Sequence, residues 1–290
     1  MSNGDSSGRI VVVTGAAGGI GAAVAARFAA QDRVVSLWDL DPAVHETAAA
    51  IASATHTRRS DDATPGRENG SVRAATLIER RATVHGVTVD ITDPGAVGAA
   101  FDRLTAEHGT VEVLVHAAGI LAGGTPLELD PADWTRCLTV NATGTMLVTQ
   151  RAATDMAAAG TGAIVVVSSN AAATPRIGMA AYGAAKAAAT AFTRSLALQV
   201  APLGVRVNVV SPGSTDTAML RGMFGGDAID EAAHTALLDG DPAAYRLGIP
   251  LRRIAAPDDI ASAVHFLASD GARHITMHDL RVDGGATLDM

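Results

Sequence analysis

Tyr182 and Lys186 stand four residues apart in Tyr182-Gly-Ala-Ala-Lys186, a spacing that puts both on one face of a helix. Ser169 lies thirteen residues before Tyr182, at the end of the apolar run Gly162-Ala-Ile-Val-Val-Val-Ser-Ser169. Asn141 sits upstream in Leu138-Thr-Val-Asn-Ala-Thr-Gly144, and Thr14-Gly-Ala-Ala-Gly-Gly-Ile-Gly21 follows the apolar run Arg9-Ile-Val-Val-Val13. A glycine turn between a strand and a helix lets backbone approach a pyrophosphate and aims helix N-terminal N–H groups at its charge. If that turn holds a nicotinamide dinucleotide, the second reactant exchanges a hydride at a carbinol or carbonyl carbon, and a proton must move with it. There are no paired cysteines and no His-x-x-x-His on a helix to hold zinc, so no metal is expected and the proton passes through a side chain. Tyr182 is the candidate. A nearby lysine ammonium and a cationic nicotinamide would favour its phenolate, and lowering a phenol's pKa by about 3 units takes roughly 4 kcal/mol of differential stabilisation. Lys186 could also hold the nicotinamide ribose, Ser169 could orient the substrate oxygen, and Asn141 could bind a water leading from Lys186 to solvent.

The elements that must position these groups alternate along the chain. Residues 10–13 read as a buried strand, the glycines as a turn and Ile20 to Gln31 as a helix. In this turn Gly15, Gly19, Ile20 and Gly21 are the cofactor-binding candidates. Val34 to Trp38 reads as the second strand, ending in Asp39. An acid there can accept hydrogen bonds from ribose hydroxyls and repels a 2′-phosphate, which favours NAD over NADP. A helix follows from Pro42. Residues 53–82 are polar, broken by Gly and Pro and without apolar periodicity, and are expected to form a disordered surface insertion in which Val72 to Arg81 could make a short helix. Alternation resumes with a strand at Val84 to Val89 followed by Asp90, a helix at Pro94 to His108, and a strand at Val111 to Val115 running into His116-Ala117-Ala118-Gly119. The small residues Ala117 and Gly119 would let a cofactor close to backbone. One long helix is expected from Ala132 to about Ala158, then a strand at Ile164 to Val167, a helix at Ala180 to Val200 and a strand at Val205 to Val210 punctuated by Pro212-Gly213. Residues 214–249 are irregular; they suit either a substrate lid or a helical excursion packed on the domain edge. A helix at Asp258 to Ala268 and a strand at Asp279 to Asp283 close the chain. This β-α order without a composition break predicts a flexible leader at 1–8 and one α/β domain at 9–290, a Rossmann-type doubly wound parallel sheet.

Composition narrows the function classes. A net charge of −8 without a dense basic patch argues against a nucleic-acid partner. No apolar run approaches transmembrane length and the N-terminus is polar, so neither membrane partner nor export is expected and the location is the cytoplasm. The single cysteine, Cys137, excludes an internal disulfide and reads as a small buried hydrophobe.

In order and spacing, Thr-Gly-x-x-x-Gly-x-Gly at 14–21, the Asn-Ala-Ala-Gly-like motif at 116–119, Asn141, Ser169, Tyr182, Lys186 and Pro212-Gly213-x-x-x-Thr217 resemble the classical short-chain dehydrogenase/reductase family. That resemblance implies a catalytic tetrad of Asn141, Ser169, Tyr182 and Lys186, Asp90 beside the adenine, Thr217 beside the carboxamide, Lys186 also on the cofactor, and a homotetramer built on the helices placed at 132–158 and 180–200. The chain departs from the family at His116, where asparagine is usual; a packing role suits it better than a catalytic one. Further stretches, Thr174-Pro-Arg-Ile-Gly-Met-Ala-Ala-Tyr-Gly183, Val210 to Thr217, Leu247 to Leu251 and His274 to Leu288, look like those of a group within the family, the 2,3-dihydro-2,3-dihydroxybenzoate dehydrogenases. This implies a small anionic cyclohexadiene substrate, oxidised at its C3 hydroxyl with NAD to 2,3-dihydroxybenzoate in catechol siderophore synthesis. Arg176 would clamp the carboxylate, since guanidinium makes paired hydrogen bonds; a surface or subunit-contact role is the alternative. Gly178 would leave room for the ring, and Met179 and Met219 would line an apolar wall. A dihydro-hydroxyanthranilate dehydrogenase, a broader alcohol or sugar dehydrogenase and a non-catalytic NAD-binding protein remain as alternatives.

Overall fold

The computed structural model describes residues 9–31, 34–61, 82–226 and 228–288. The order is β1 (Ile10–Thr14), α1 (Gly19–Ala29), β2 (Val34–Asp39), α2 (Val44–Asp61), β3 (Thr83–Thr88), α3 (Pro94–His108), β4 (Val113–His116), α4 (Pro131–Leu138), α5 (Thr145–Ala159), β5 (Gly162–Val167), α6 (Ala180–Val200) and β6 (Val205–Pro212). Then come α7 (Ala218–Gly222), α8 (Glu231–Asp239), the small strands β7 (Gly240–Asp241) and β8 (Arg246–Leu247), α9 (Pro257–Ala268) and β9 (Asp279–Val282). Seven strands form one parallel sheet in the order β3-β2-β1-β4-β5-β6-β9. The chain reverses direction across the sheet between β1 and β4, which makes the fold doubly wound.

Successive strand side chains point to opposite faces. Val11, Val13, Val35, Leu37, Val113, Val115 and Val165 pack with Phe28 of α1, Val44 of α2 and Ile260 of α9. Ile10, Val12, Val34, Leu114, Ile164 and Val166 pack on the other face with Phe101 of α3, Met156 of α5 and Leu196 of α6. Helices on both faces explain why the strands read as continuous apolar runs.

Three expectations need adjusting. Residues 53–61, expected to open a disordered insertion, continue α2; Ala, Thr and Arg sustain a helix without an apolar stripe. The remainder of that stretch, 62–81, and the leader at 1–8 lie outside the described residues. The single helix expected at 132–158 is continuous in direction but interrupted by a π-turn at Thr139–Gly144. Within it Asn141 Nδ2 donates to the Cys137 carbonyl at 3.1 Å, so a side chain competes for an i−4 acceptor of the helical ladder. The described residues of the irregular 214–249 segment include α7, α8 and the β7–β8 hairpin.

Trp38, the residue before Asp39, meets Phe101 edge-on with ring centroids 4.8 Å apart, and both rings are buried. Phe101→Ala leaves a cavity under β2 and is expected to cost about 3–5 kcal/mol, read as a lower urea midpoint; an unchanged midpoint contradicts this packing.

Candidate active site

The chemistry-bearing residues gather beyond the carboxyl ends of the strands. Gly15 follows β1, Asp39 ends β2, Ala117 to Gly119 follow β4, Ser169 follows β5 and Pro212 ends β6. Gly15 has φ 69°, and a Cβ there would stand 2.6 Å from the Ala118 backbone. A Cβ on Gly21 would come 2.1 Å from the Gly15 carbonyl oxygen. Both positions therefore exclude a side chain, and the turn closes tightly onto the start of α1. The N-cap of α1 is Gly18, which carries no side-chain cap, so the helix presents its N–H groups to the cleft. Asp39 Oδ2 accepts from Ala17 N at 2.9 Å and Oδ1 from Asp41 N at 3.0 Å, leaving lone pairs for further donors. Asp90 Oδ1 accepts from Thr92 N and Thr92 Oγ1. Gly15, Gly19, Ile20, Gly21, Asp39, Asp90, Ala117, Gly119 and Thr217 line one continuous cleft. A bare glycine floor, an uncapped helix start and an acid at its far end fit a dinucleotide laid across the strand ends.

A second cavity opens directly from this cleft, sharing Ile20, Ala117, Gly119, Thr217 and Met219 with it. Tyr182 and Lys186 enter it from α6 and Ser169 from the end of β5. Tyr182 and Lys186 are buried. Lys186 Nζ donates to the Val167 carbonyl at 2.9 Å and stands 5.9 Å from the Tyr182 ring centroid. Burial pulls the Lys186 ammonium down to about 8. Burial also pushes the Tyr182 phenol up to about 12, opposed by its hydrogen bond to Ser169. In the protein alone, loss of water sets the direction for Tyr182; the lowering expected from the sequence includes the charge of a bound nicotinamide. Ser169 Oγ also accepts from Ala171 N at 3.1 Å, which holds it at the start of a short 3₁₀ turn.

Asn141 is fully enclosed. Its Oδ1 accepts from Ile120 N at 3.1 Å, and its Nδ2 donates to the carbonyls of Ile120 and Cys137 and to Cys137 Sγ. The side chain thus pins the loop after β4 to the π-turn. A Cβ on Gly119 would fall 2.6 Å from Asn141 Oδ1 and 3.2 Å from Lys186 Nζ, so this glycine is the spacer that keeps the two together. Cys137 is buried as expected, and its carbonyl and Sγ both accept from Asn141 Nδ2.

His116 shares a 2.9 Å hydrogen bond between its Nδ1 and Thr14 Oγ1, and Thr14 Oγ1 also accepts from Ala118 N. The ring thus ties β1 to β4 beneath the cleft. Nε2 has no partner among the described residues. Burial, then the Lys186 charge, hold the ring down to about 3, so it is neutral.

Of the residues proposed for substrate, Arg176, Met179 and Met219 line the second cavity. Gly178 does not: it is exposed, and a Cβ there would meet nothing within 4 Å. It lies in the turn before α6. Sequence reasoning missed Arg246, Asn170 and Ile249, which also line this cavity. Only the tertiary fold brings the 214–249 segment here, and no local pattern marks Arg246.

A family model described as Enoyl-(Acyl carrier protein) reductase matches residues 63–287. A solved structure described as a short chain dehydrogenase/reductase family protein superposes with a TM-score of 0.74 at 31% identity, covering 97% of each chain. The chain belongs to the short-chain dehydrogenase/reductase family. It is accordingly an oxidoreductase, of a family whose dehydrogenases typically use NAD or NADP. Within the family it is similar to the 2,3-dihydro-2,3-dihydroxybenzoate dehydrogenase of Bacillus subtilis (strain 168), at 37% identity over 281 residues, 97% of each chain. It is also similar to the enzyme of that name from Escherichia coli (strain K12), at 45% identity over 200 residues, 69% of this chain and 79% of the other.

A buried histidine held neutral stabilises the fold above its unfolded pKa near 6.5, and this contribution is lost as pH falls through that value toward about 3. Over that window wild type should lose up to about 1.4 kcal/mol per pH unit from this group alone. In His116→Asn the difference in unfolding free energy between neutral and acid pH should shrink, measured by urea titration across that range. Parallel pH profiles for the two proteins would show that His116 is not the group responsible.

Proposed function

We propose that the protein catalyses the NAD-dependent oxidation of the C3 hydroxyl of 2,3-dihydro-2,3-dihydroxybenzoate to give 2,3-dihydroxybenzoate. The observation that carries this reading is the half-buried Arg176 guanidinium in the cavity that holds Tyr182 and Ser169. It makes no hydrogen bond or ion pair with any described residue. A cation placed beside a proton-transfer tyrosine suits a substrate that carries a carboxylate near its alcohol. The two relatives named above are dehydrogenases of such an acid.

In this reading Gly15, Gly19, Ile20 and Gly21 cradle the pyrophosphate, Asp39 accepts from the adenosine ribose and disfavours NADP, and Asp90 lies by the adenine. Ala117, Gly119, Pro212, Gly213 and Thr217 border the nicotinamide half, and Lys186 holds its ribose. Bound NAD supplies the hydride acceptor and a positive ring that favours the Tyr182 phenolate. Ser169 orients the C3 oxygen, and Tyr182 Oη takes its proton as the C3–H bond breaks. The resulting ketone loses its C2 proton and gains one on oxygen, and aromaticity draws the sequence forward. Lys186, through the structure around Asn141, returns the proton to solvent. Met179 and Met219 pack on the ring. We place the reaction in the cytoplasm, in a homotetramer; among the described residues no helix is long and apolar enough to cross a membrane.

Purified protein given NAD and 2,3-dihydro-2,3-dihydroxybenzoate should form NADH and the catechol acid, with NADP much the poorer oxidant. Tyr182→Phe should keep NAD affinity and lose roughly 10²–10⁴ in kcat. Absence of NADH from wild type that binds NAD would overturn the substrate, and undiminished turnover by the phenylalanine variant would overturn the role of Tyr182. With the phenol held above its ordinary range by burial, kcat/KM for oxidation should rise from neutral to alkaline pH; a flat profile would remove the tyrosine proton from the rate.

A further inference from the structure

Arg246 lines the same cavity as Arg176 and comes from a different part of the chain, the β7–β8 hairpin. Burial pulls Arg176 below its usual range, repulsion from Arg246 adds to this, and Asp283 pulls the other way. Arg246 has no carboxylate partner among the described residues; its Nη2 donates to the Ala236 carbonyl of α8 at 2.6 Å. Asp283 does not neutralise either arginine by contact. Its oxygens accept from Gly285 N, Thr287 Oγ1 and Asn170 Nδ2.

Arginines nearby behave differently. Arg221 pairs with Asp216, Arg252 with Asp239 and Arg253 with Asp259. This part of the chain therefore supplies aspartates to the arginines that face solvent and withholds them from the two that face the cavity. Two like charges held across a cavity without a counter-ion are a cost to the fold. An anion lying between them removes that cost and can accept paired hydrogen bonds from both planar groups.

We propose that Arg246 is the second arm of a two-arginine clamp on the substrate carboxylate, so that anion binding ties the β7–β8 hairpin and α8 to the cavity. This rests on the reading of the site given above and extends it to a residue outside the family tetrad. One side of the clamp, Arg176, stands on the rigid approach to α6. The other is carried by a hairpin two residues per strand, tied to α8 through Ala236. A carboxylate that bridges them therefore links the core to α8 and to Leu237, Leu247 and Ile249, which line the same cavity. A neutral diol would find the same ring contacts without this link.

The test is equilibrium binding to NAD-loaded protein by calorimetry, using 2,3-dihydroxybenzoate as the anion and catechol as the neutral control. Arg246→Gln is expected to weaken the acid by about tenfold or more, the loss of a charge-assisted hydrogen bond, and to leave catechol within about twofold. Arg246→Lys should fall between the two. In the Arg176→Gln, Arg246→Gln double variant the loss should be smaller than the product of the single losses, because both arms serve one carboxylate. Unfolding midpoints and NAD affinity check that each variant is folded. Unchanged acid affinity in Arg246→Gln, an equal loss for catechol, or wild type blind to the acid would overturn the clamp. Wild type that binds the acid through both arginines yet forms no NADH from the dihydrodiol acid would keep the clamp and overturn the proposed reaction. Normal turnover with unchanged acid affinity in Arg246→Gln would do the reverse.

Discussion

The backbone of the glycine turn touches the backbone of the loop after β4, and the rest of the site is arranged around this approach. Gly15 can stand against Ala118 only because it lacks a Cβ. Thr14 secures the contact from below by bonding both the His116 ring and the Ala118 N–H. With these two strand ends drawn together, the cleft has a floor of bare backbone, which is what a polyanion needs at close range. Burial at this depth, with the Lys186 charge nearby, keeps the His116 imidazole neutral.

Burial governs the protein's chemistry at three neighbouring groups. His116, Tyr182 and Lys186 each have their charged form disfavoured by loss of water. An active site in this condition has low intrinsic polarity, and a charge brought into it acts over a longer reach than it would in solvent. Lys186 is held by the Val167 carbonyl rather than by a carboxylate, so its charge is not quenched by a permanent partner. Such an environment suits proton transfer, because the state of one group responds strongly to that of the others.

Much of the fold could be read from the chain because both faces of the sheet are covered. Strands buried twice show as unbroken Val and Ile runs, and the glycine turn, Ser169, Tyr182 and Lys186 follow those runs at the spacing that a strand end and one helical face demand. Ser169, Tyr182 and Lys186 accordingly line one cavity, with Asn141 enclosed beside Gly119. Features that depend on packing between distant segments were not legible. The π-turn at 139–144 follows from an amide competing with a helical carbonyl, which leaves no compositional trace. The extension of α2 to Asp61 lacks the apolar stripe that marks a helix against a core. Arg246 reaches that cavity only through the path of a segment with no regular period, and the upward pull on Tyr182 in the protein alone comes from depth of burial, a tertiary quantity.

The π-turn has a consequence for how such a chain can change. Its six residues place Cys137, Asn141 and Thr145 in one bonded series, with Thr145 Oγ1 donating to the Asn141 carbonyl. A π-turn holds one residue more than the regular helix around it. Between α4 and α5, then, the extra residue is taken up within the turn: its removal would restore an ordinary helix and leave α4 and α5 in phase, but would abolish the widened turn that carries Asn141. Most connections in a layered α/β protein absorb insertions and deletions at the surface. Here the extra residue lies in the turn that carries Asn141, whose side chain holds the loop after β4 through Ile120.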